Sequence, residues 1–466
     1  MKSHPKPLAG SPCGAARGTL RRLLAACLLG TTGGLVAQPA APAQPNIIVI
    51  LADDLGYADL GCQGSPDVKT PHIDSLAQNG ARFTAGYVTV PQCAPSRTAL
   101  LSGRYQNRLG LESNEQGYTP GLTRDHQVIS EYLKDAGYST GMMGKWGVAN
   151  TPPLHPPQRG FDETLWNHDG NLYFPDTKSP YDVKLRRGNE VVALTEFSTD
   201  AFAGAAIDFI RRHRDRPFFL YLPFINPHEP LEAKPEDLAR FAQEKDPTRR
   251  TLLALMANLD DNVGRILGAL REGNLEENTL VVFLSDNGGC HPNPGNGSRN
   301  DPFRGTKSQM LEGGIRVPFL LQWKKQVPAG VVYPHPVSAL DVLPTALTAA
   351  GVALDPAWKL DGKDLVPYLN GQRTDRPHDT LYWRFQFPLN EPDKHGWAIR
   401  QGDWKLVRNG WARTAPALYN LADDPREARD LSAAEPERVQ ALRAAWEAWD
   451  ADNLAPGAKR EKAKKR

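Results

Sequence analysis

Asn46-Ile47-Ile48-Val49-Ile50-Leu51-Ala52-Asp53-Asp54-Leu55-Gly56 decides the fold. The run from Ile47 to Leu51 is continuously apolar and rich in β-branched residues. A strand with one wet face would alternate; an unbroken run suits a strand buried on both faces of a parallel sheet. It stops abruptly at Asp53-Asp54. In open α/β sheets, ligands bind outside the carboxyl ends of the strands, so an acidic doublet at a strand end is a candidate site.

Downstream, strands and helices alternate. The residues from Pro71 to Asn79 read as a helix, with proline in its first turn and Gly80 just past its end. A second helix runs from Asp125 to Ala136, closed by Gly137 and followed by a short strand to Met143. A third runs from Ser198 to Arg212, with Ser198 or Thr199 as its cap. Pro217 to Phe224 is a buried strand by composition. From Leu252 to Leu270, Leu255, Leu259, Val263, Leu267 and Leu270 share one face of an amphipathic helix. Leu280 to Leu284 is a further apolar strand, ending in Ser285-Asp286-Asn287-Gly288-Gly289, and Val317 to Trp323 is another. The pattern predicts an α/β fold with a large, mixed, mostly parallel sheet flanked by helices.

After about residue 372 the character changes. Tyr382-Trp383-Arg384, Trp397-Ala398-Ile399-Arg400 and Trp404-Lys405-Leu406-Val407 alternate partially and are separated by turns. They predict a smaller α+β domain, an antiparallel sheet with a helix from Glu435 to Asp450. The expected organisation is an export signal at 1–37, a Pro/Ala linker at 38–45, a catalytic domain at 46–371, the small domain at 372–454 and a solvated basic tail at 455–466.

The formal charge of +2 conceals an acidic body. Residues 1–37 hold five Lys/Arg and no acid, and residues 455–466 hold six Lys/Arg and one Glu. With those ends set aside, about −8 remains, which argues against binding nucleic acid through bulk charge. Arg21 and Arg22 precede an apolar, small-residue run that ends Leu35-Val36-Ala37, the pattern of a cleaved signal. About 15 residues is short for a bilayer span, so the membrane enters only through export, to a bacterial periplasm or outside the cell; a retained anchor is the alternative. Of five cysteines, Cys13 and Cys27 would leave with the signal. Cys62, Cys93 and Cys290 remain, too few for a disulfide framework; Cys62 and Cys290 could pair in an oxidising compartment.

Asp53, Asp54, Asp286 and Asn287 offer oxygen donors from two strand ends, a donor set for a hard cation. Singly, each pair reads as a turn cap; jointly, each after an apolar strand and before glycine, they favour a metal. Lys145 follows a short strand in Gly144-Lys145-Trp146, and Lys307 lies upstream of Glu312-Gly313-Gly314-Ile315-Arg316. A lone lysine is ordinarily a solvated charge. His228 sits between two prolines after a buried strand, in Asn226-Pro227-His228-Glu229-Pro230. Arg97 stands one helical turn beyond Cys93 and either forms a surface ion pair or bonds an oxygen on residue 93.

In order, from about Asn46 to Asn370, these segments resemble the type I sulfatases of the alkaline phosphatase superfamily. The opening stretch, Cys93-Ala94-Pro95-Ser96-Arg97, and Glu312-Gly313-Gly314-Ile315-Arg316-Val317-Pro318 carry the resemblance. In that family the cysteine is oxidised by a maturation enzyme to an aldehyde, formylglycine (3-oxoalanine). The resemblance implies one calcium ion (Ca2+) per chain, held by Asp53, Asp54, Asp286 and Asn287 with the modified Cys93 completing its shell. It implies that Lys145, His228 and Lys307 grip the sulfate and the leaving oxygen, and that Arg97 supports the aldehyde hydrate. One hydroxyl of the hydrate would attack sulfur; the other would then lose its proton and expel sulfate, regenerating the aldehyde. Cations answer the charge on the non-bridging oxygens, and His228 is the natural acid for the leaving alcohol.

One departure matters. The family carries histidine two residues after the lysine, where this chain has Gly147; His155 or His168 would have to substitute. For a sulfated saccharide or aryl sulfate substrate, Trp166, His168, Asp169, Asn171 and Tyr173 form a polar-aromatic cluster suited to a sugar, or else core packing. Trp383, Arg384 and His395 would overhang the cleft. Two other readings stand beside sulfate-ester hydrolysis: a phosphate or phosphonate ester hydrolase of the same superfamily, and an impaired binder of sulfated glycans.

Overall fold

The computed structural model describes residues 44–456 apart from 117–121, 170–171, 178–182, 291–294, 392–393 and 411–414. The expected signal at 1–37, most of the linker and all but the start of the basic tail lie outside the described residues, as does Asn171. Twelve strands come first: β1 (Asn46–Ala52), β2 (Ala81–Phe83), β3 (Gly86–Tyr87), β4 (Ser139–Lys145), β5 (Glu163–Asn167), β6 (Arg186–Arg187), β7 (Glu190–Val191), β8 (Phe218–Pro223), β9 (Thr279–Ser285), β10 (Phe319–Gln322), β11 (Val331–Tyr333) and β12 (Val337–Ser338). Ten of them form one sheet in the order β11-β2-β10-β9-β1-β8-β4-β5-β6-β7.

β1 lies at the centre, parallel to β8 on one side and β9 on the other. Its alternate residues feed two cores. Ile47, Val49 and Leu51 join one face with Ile129 and Leu133, and with Leu343 and Leu347. Ile48, Ile50 and Ala52 join the other with the long helices Ser198–Arg212 and Pro247–Glu272. Burial on both faces is why the run carries no polar side chain.

The expected strand after Val317 is β10, which runs antiparallel to β9 and makes the sheet mixed. Two helix starts differ from expectation. The helix expected from Asp125 begins at Ile129. The helix expected from Leu252 begins five residues earlier at Pro247, where Asp246 accepts from the Thr248 N–H. Ser198 and Thr199 lie inside their helix rather than capping it; the Thr199 hydroxyl donates instead to Asn226 Oδ1 at 2.6 Å.

The carboxyl-terminal strands β13 (Thr380–Phe385), β14 (Gly396–Gln401), β15 (Trp404–Arg408) and β16 (Ala417–Asn420) form an antiparallel meander. The helix Pro436–Asp450 lays Leu442, Trp446 and Trp449 against Trp397, Ile399, Leu406 and Leu418. Among the described residues, no helix is long and apolar enough to cross a membrane.

Candidate active site

The register of β1 on β9 builds the acidic cluster. Ala52 pairs with Ser285, so the next residues on both strands, Asp53-Asp54 and Asp286-Asn287, leave the sheet side by side. The Asp286 N–H donates to Ala52 O at 3.1 Å, and the Asp54 N–H to Asp286 Oδ1 at 3.2 Å. Asp54 adopts the left-handed φ of 64°, and its Oδ1 accepts from Asn287 Nδ2 at 2.8 Å. All four side chains are buried. Buried polar atoms in native proteins are nearly always bonded, yet Asp53 Oδ1 and Asn287 Oδ1 have no hydrogen-bond partner. Two orphaned oxygens, one of a carboxylate and one of an amide, stand beside the Asp54 and Asp286 carboxylates; all are hard donors and fit a divalent cation of the calcium type.

Three fixed cations face these carboxylates. Lys145 ends β4, and its Nζ donates to Asp53 Oδ2 at 2.6 Å. Gly144 makes this approach possible, since a Cβ there would stand 2.1 Å from Pro223 O on β8. Lys307 Nζ lies 2.7 Å from Asp54 Oδ1 and 2.8 Å from Oδ2. Burial opposes its charge most strongly, but Asp54 together with Cys93, Cys290 and Asp53 outweighs burial and holds the ammonium well above its usual range. Arg97, fully buried, donates to Asp286 Oδ2 from Nε at 2.9 Å, and its Nη2 is ion-paired with Asp286 Oδ2 at 2.8 Å and Asp53 Oδ2 at 3.1 Å. Its Nη1 donates to Lys145 O at 3.1 Å. Arg97 therefore braces the carboxylates rather than forming a surface ion pair.

Cys93 is the first residue of the helix Cys93–Ser102, with Pro95 in the first turn, where a missing N–H leaves nothing unsatisfied. Its Sγ and single ligand atoms of Asp53, Asp54 and His228 all lie within 4.8 Å of one another. Burial pushes the thiol up to about 12, against the pull of Lys307 and Lys145, so unmodified Cys93 is a poor nucleophile near neutral pH. The His228 side chain is 20% exposed, with Nε2 3.6 Å from Asp54 Oδ2. Nδ1 lies 2.6 Å from Glu229 O; the carbonyl can only accept, so Nδ1 carries a proton and Nε2 is the atom free to exchange one with a ligand. Burial lowers the imidazole's pKa, partly offset by Asp53.

Gly147 sits beside this group. A Cβ there would lie 3.3 Å from Arg97 Cδ and 3.3 Å from Lys145 Cε, at φ +57°. Its N–H donates to His168 O at 2.9 Å, which puts His168 next to the departure from the family pattern. The His168 side chain is 15% exposed and its Nε2 lies 3.6 Å from Asp169 Oδ1. His155 instead packs edge-on against Trp166, ring centres 4.8 Å apart.

Several residues expected at the substrate lie buried in this structure. Trp166 is buried, its Nε1 donating to Gly188 O at 2.9 Å, and belongs to the core. Arg384 is buried too, ion-paired with Glu112 and, at 2.6 Å, with Asp450; its charge is satisfied inside the protein. Trp383 is likewise core, its Nε1 bonded to Val88 O. Tyr173 is fully buried and donates to the carbonyls of Ile225 and His228, which steadies the histidine loop. Cys62 and Cys290 are both free thiols. Cys290 is turned to Asp54, its Sγ 3.3 Å from Oδ2, a contact the sequence did not signal. Asn296 and Ser298, also unforeseen in a loop of ordinary turn composition, both donate to Asp54 O at 3.1 Å.

The ends of β1, β4 and β9, the loops carrying His228 and Lys307 and the helix carrying Arg97 bring carboxylates, two lysines, an arginine and a histidine to one point, a site suited to anionic esters. Comparison with known proteins narrows the class. The Sulfatase family model matches residues 45–352, and that of the N-sulphoglucosamine sulphohydrolase C-terminal region matches 305–446. The N-acetylgalactosamine-6-sulfatase of Canis lupus familiaris is 34% identical over 93% of this chain and 89% of its own length. Arylsulfatase A of Homo sapiens is 34% identical over 89% of each. Among solved structures, Ps i-CgsB in complex with k-i-k-neocarrahexaose superposes with a TM-score of 0.83 at 37% identity, covering 89% of this chain and 94% of that one. The chain belongs to the sulfatase family, and it is a sulfuric ester hydrolase.

Proposed function

We propose that this protein is an exported, calcium-dependent sulfatase that removes sulfate esters from a sulfated carbohydrate, with formylglycine made from Cys93 as its nucleophile. The convergence of Cys93 with Asp53, Asp54 and His228, ligand atoms within 4.8 Å, carries this reading. The carbohydrate substrate is supported by the relatives, which include an N-acetylgalactosamine-6-sulfatase and a structure in complex with a neocarrahexaose. A calcium ion held by Asp53, Asp54, Asp286 and Asn287 would supply positive charge beside the sulfate oxygens. Formylglycine at position 93 would supply a hydrated aldehyde in place of a thiol that burial keeps protonated.

The chain's own residues do the rest. Lys145 Nζ and Lys307 Nζ, at opposite edges of the Asp53-Asp54 pair, orient the sulfate oxygens and offset their charge. Arg97 fixes Asp53 and Asp286, so the donors are set before substrate arrives. His228, protonated on both nitrogens, gives its Nε2 proton to the departing alcohol oxygen, with Asp53 and Asp54 favouring that charged form against burial. The signal at 1–37 supports export to the periplasm or the medium. Gly147 is the one observation favouring a second reading, an impaired glycan binder, because nothing at position 147 can accept a proton.

The test uses full-length protein co-expressed with a formylglycine-generating enzyme. The Cys93 peptide is expected to lose about 18 mass units, its CH2–SH group being oxidised to an aldehyde with loss of sulfur and two hydrogens and gain of one oxygen. Inorganic sulfate is then measured against a panel of defined sulfated saccharides and an aryl sulfate. Converted, calcium-loaded protein that releases sulfate from none of them would overturn the proposal.

A further inference from the structure

A group of buried charges outside the catalytic cluster has no part in the chemistry above. Lys405, on β15, lies fully buried between two carboxylates, 2.9 Å from Glu312 Oε1 and 2.9 Å from Glu427 Oε1. Glu427 Oε2 accepts the Glu312 N–H at 2.7 Å. Glu427 holds φ 54°, a left-handed conformation that disfavours a residue with a side chain. The other Glu312 oxygen accepts from Tyr87 Oη at 2.6 Å and Arg316 Nη1 at 3.1 Å. Buried charges at this density are a weak source of stability, because desolvation offsets much of the attraction. Their arrangement calls for another explanation.

Glu312 opens the short helix Glu312–Ile315, and this turn touches the active site from behind. The Gly288 N–H, next to Asn287, donates to Gly314 O at 3.0 Å. The Gly313 N–H donates to Arg304 O at 2.8 Å, on the segment that leads to Lys307. The Lys307 N–H donates to Gly289 O at 3.2 Å. The contacts are backbone to backbone: a Cβ on Gly288 would stand 1.9 Å from Gly313 O, and one on Gly314 2.0 Å from Gln309 O. Asn287 and Lys307 thus share one support, and Glu427 and Lys405 grip it from the carboxyl-terminal region.

We infer that Lys405 and Glu427 are positioning residues for the reaction: through Glu312 they hold the turn that sets Asn287 and Lys307 against Asp54. This rests on the sulfatase reading of the site, but its test does not depend on turnover alone. Full-length wild-type protein is compared with Glu427→Gln, which keeps the size and an acceptor oxygen, and with Lys405→Met. Three quantities are read: calcium affinity by calorimetry, kcat and KM for sulfate release, and amide exchange of peptides covering 286–290 and 304–314. Glu427→Gln is expected to weaken calcium affinity and lower kcat by about tenfold, as supports behind metal ligands do. Exchange should quicken in those peptides and not in β1 or β8. If Lys405→Met yields no folded protein, Glu427→Gln decides alone. A folded Glu427→Gln protein with wild-type calcium affinity, kcat and exchange overturns the inference, even if its unfolding temperature drops. A wild-type protein that releases no sulfate overturns the function proposed above instead, while exchange still tests the clasp.

Discussion

Replacing Arg97 by methionine isolates the brace from the chemistry. Methionine keeps an unbranched stem, two atoms shorter than arginine, and removes every hydrogen bond. Asp286 Oδ2 then loses both its contacts from Arg97, and Asp53 Oδ2 keeps only Lys145. Asp286 is the more vulnerable: burial and Asp53 already push its carboxyl up to about 7 against Arg97. Leaving buried carboxylates without their partner costs about 3–5 kcal/mol. Protonation of Asp286 relieves part of that, so the lower end of the range is expected below pH 7. The sign follows from the direction of the shift. A carboxyl whose folded pKa lies above its unfolded value favours folding when protonated, so the variant should lose further stability as pH rises through 7. Urea unfolding in EDTA, with wild type alongside, measures the loss; repeating it in saturating calcium should shrink it, because a dication replaces the missing positive charge. A loss under about 1 kcal/mol in EDTA would refute the claim that the guanidinium is the cluster's counter-charge.

Gly147→His should raise the rate of sulfate release by about tenfold or more if position 147 lacks a needed base, at a stability cost of about 1–2 kcal/mol for a side chain in the left-handed region; an unchanged rate in a folded variant removes the base from the argument. EDTA should abolish sulfate release, and calcium should restore it better than magnesium, because the donor oxygens do not impose the strict octahedral shell magnesium demands; activity indifferent to chelation would contradict the cation site. Arg384→Ala should destabilise the protein by about 3 kcal/mol, since it strands buried Glu112, while KM for sulfated saccharides stays within about twofold; a large rise in KM with unchanged stability would return Arg384 to the cleft.

Much of the catalytic half was legible because its physics is local. β1 and β9 are buried on both faces, so composition alone marks them, and the two polar doublets after them, each a turn cap if taken singly, jointly point to a ligand. Lys145 and His228 follow strands in the same way. What failed depended on distance in the chain. Trp166 and Arg384 read equally well as sugar contacts or as core, because an aromatic ring or a guanidinium carries no mark of which side of the wall it faces. Glu312 lies 93 residues from Lys405 and 115 from Glu427, so the buried group they form leaves no pattern in sequence. The two-residue strands β6 and β7 are too short for periodicity to register. The helix at Pro247 starts in polar sequence, where capping by Asp246 and not an apolar stripe sets the boundary.

The parallel alignment of β1 with β9 has a consequence for how such enzymes diversify. The carboxylate-bearing turns follow β1 and β9, both fully buried, so a chain that keeps this register and these residues inherits Asp53, Asp54, Asp286 and Asn287 already side by side. Loops at the mouth can be lengthened, shortened or exchanged without disturbing that inheritance. Selectivity at the mouth can therefore change while the carboxylate cluster beneath it stays fixed.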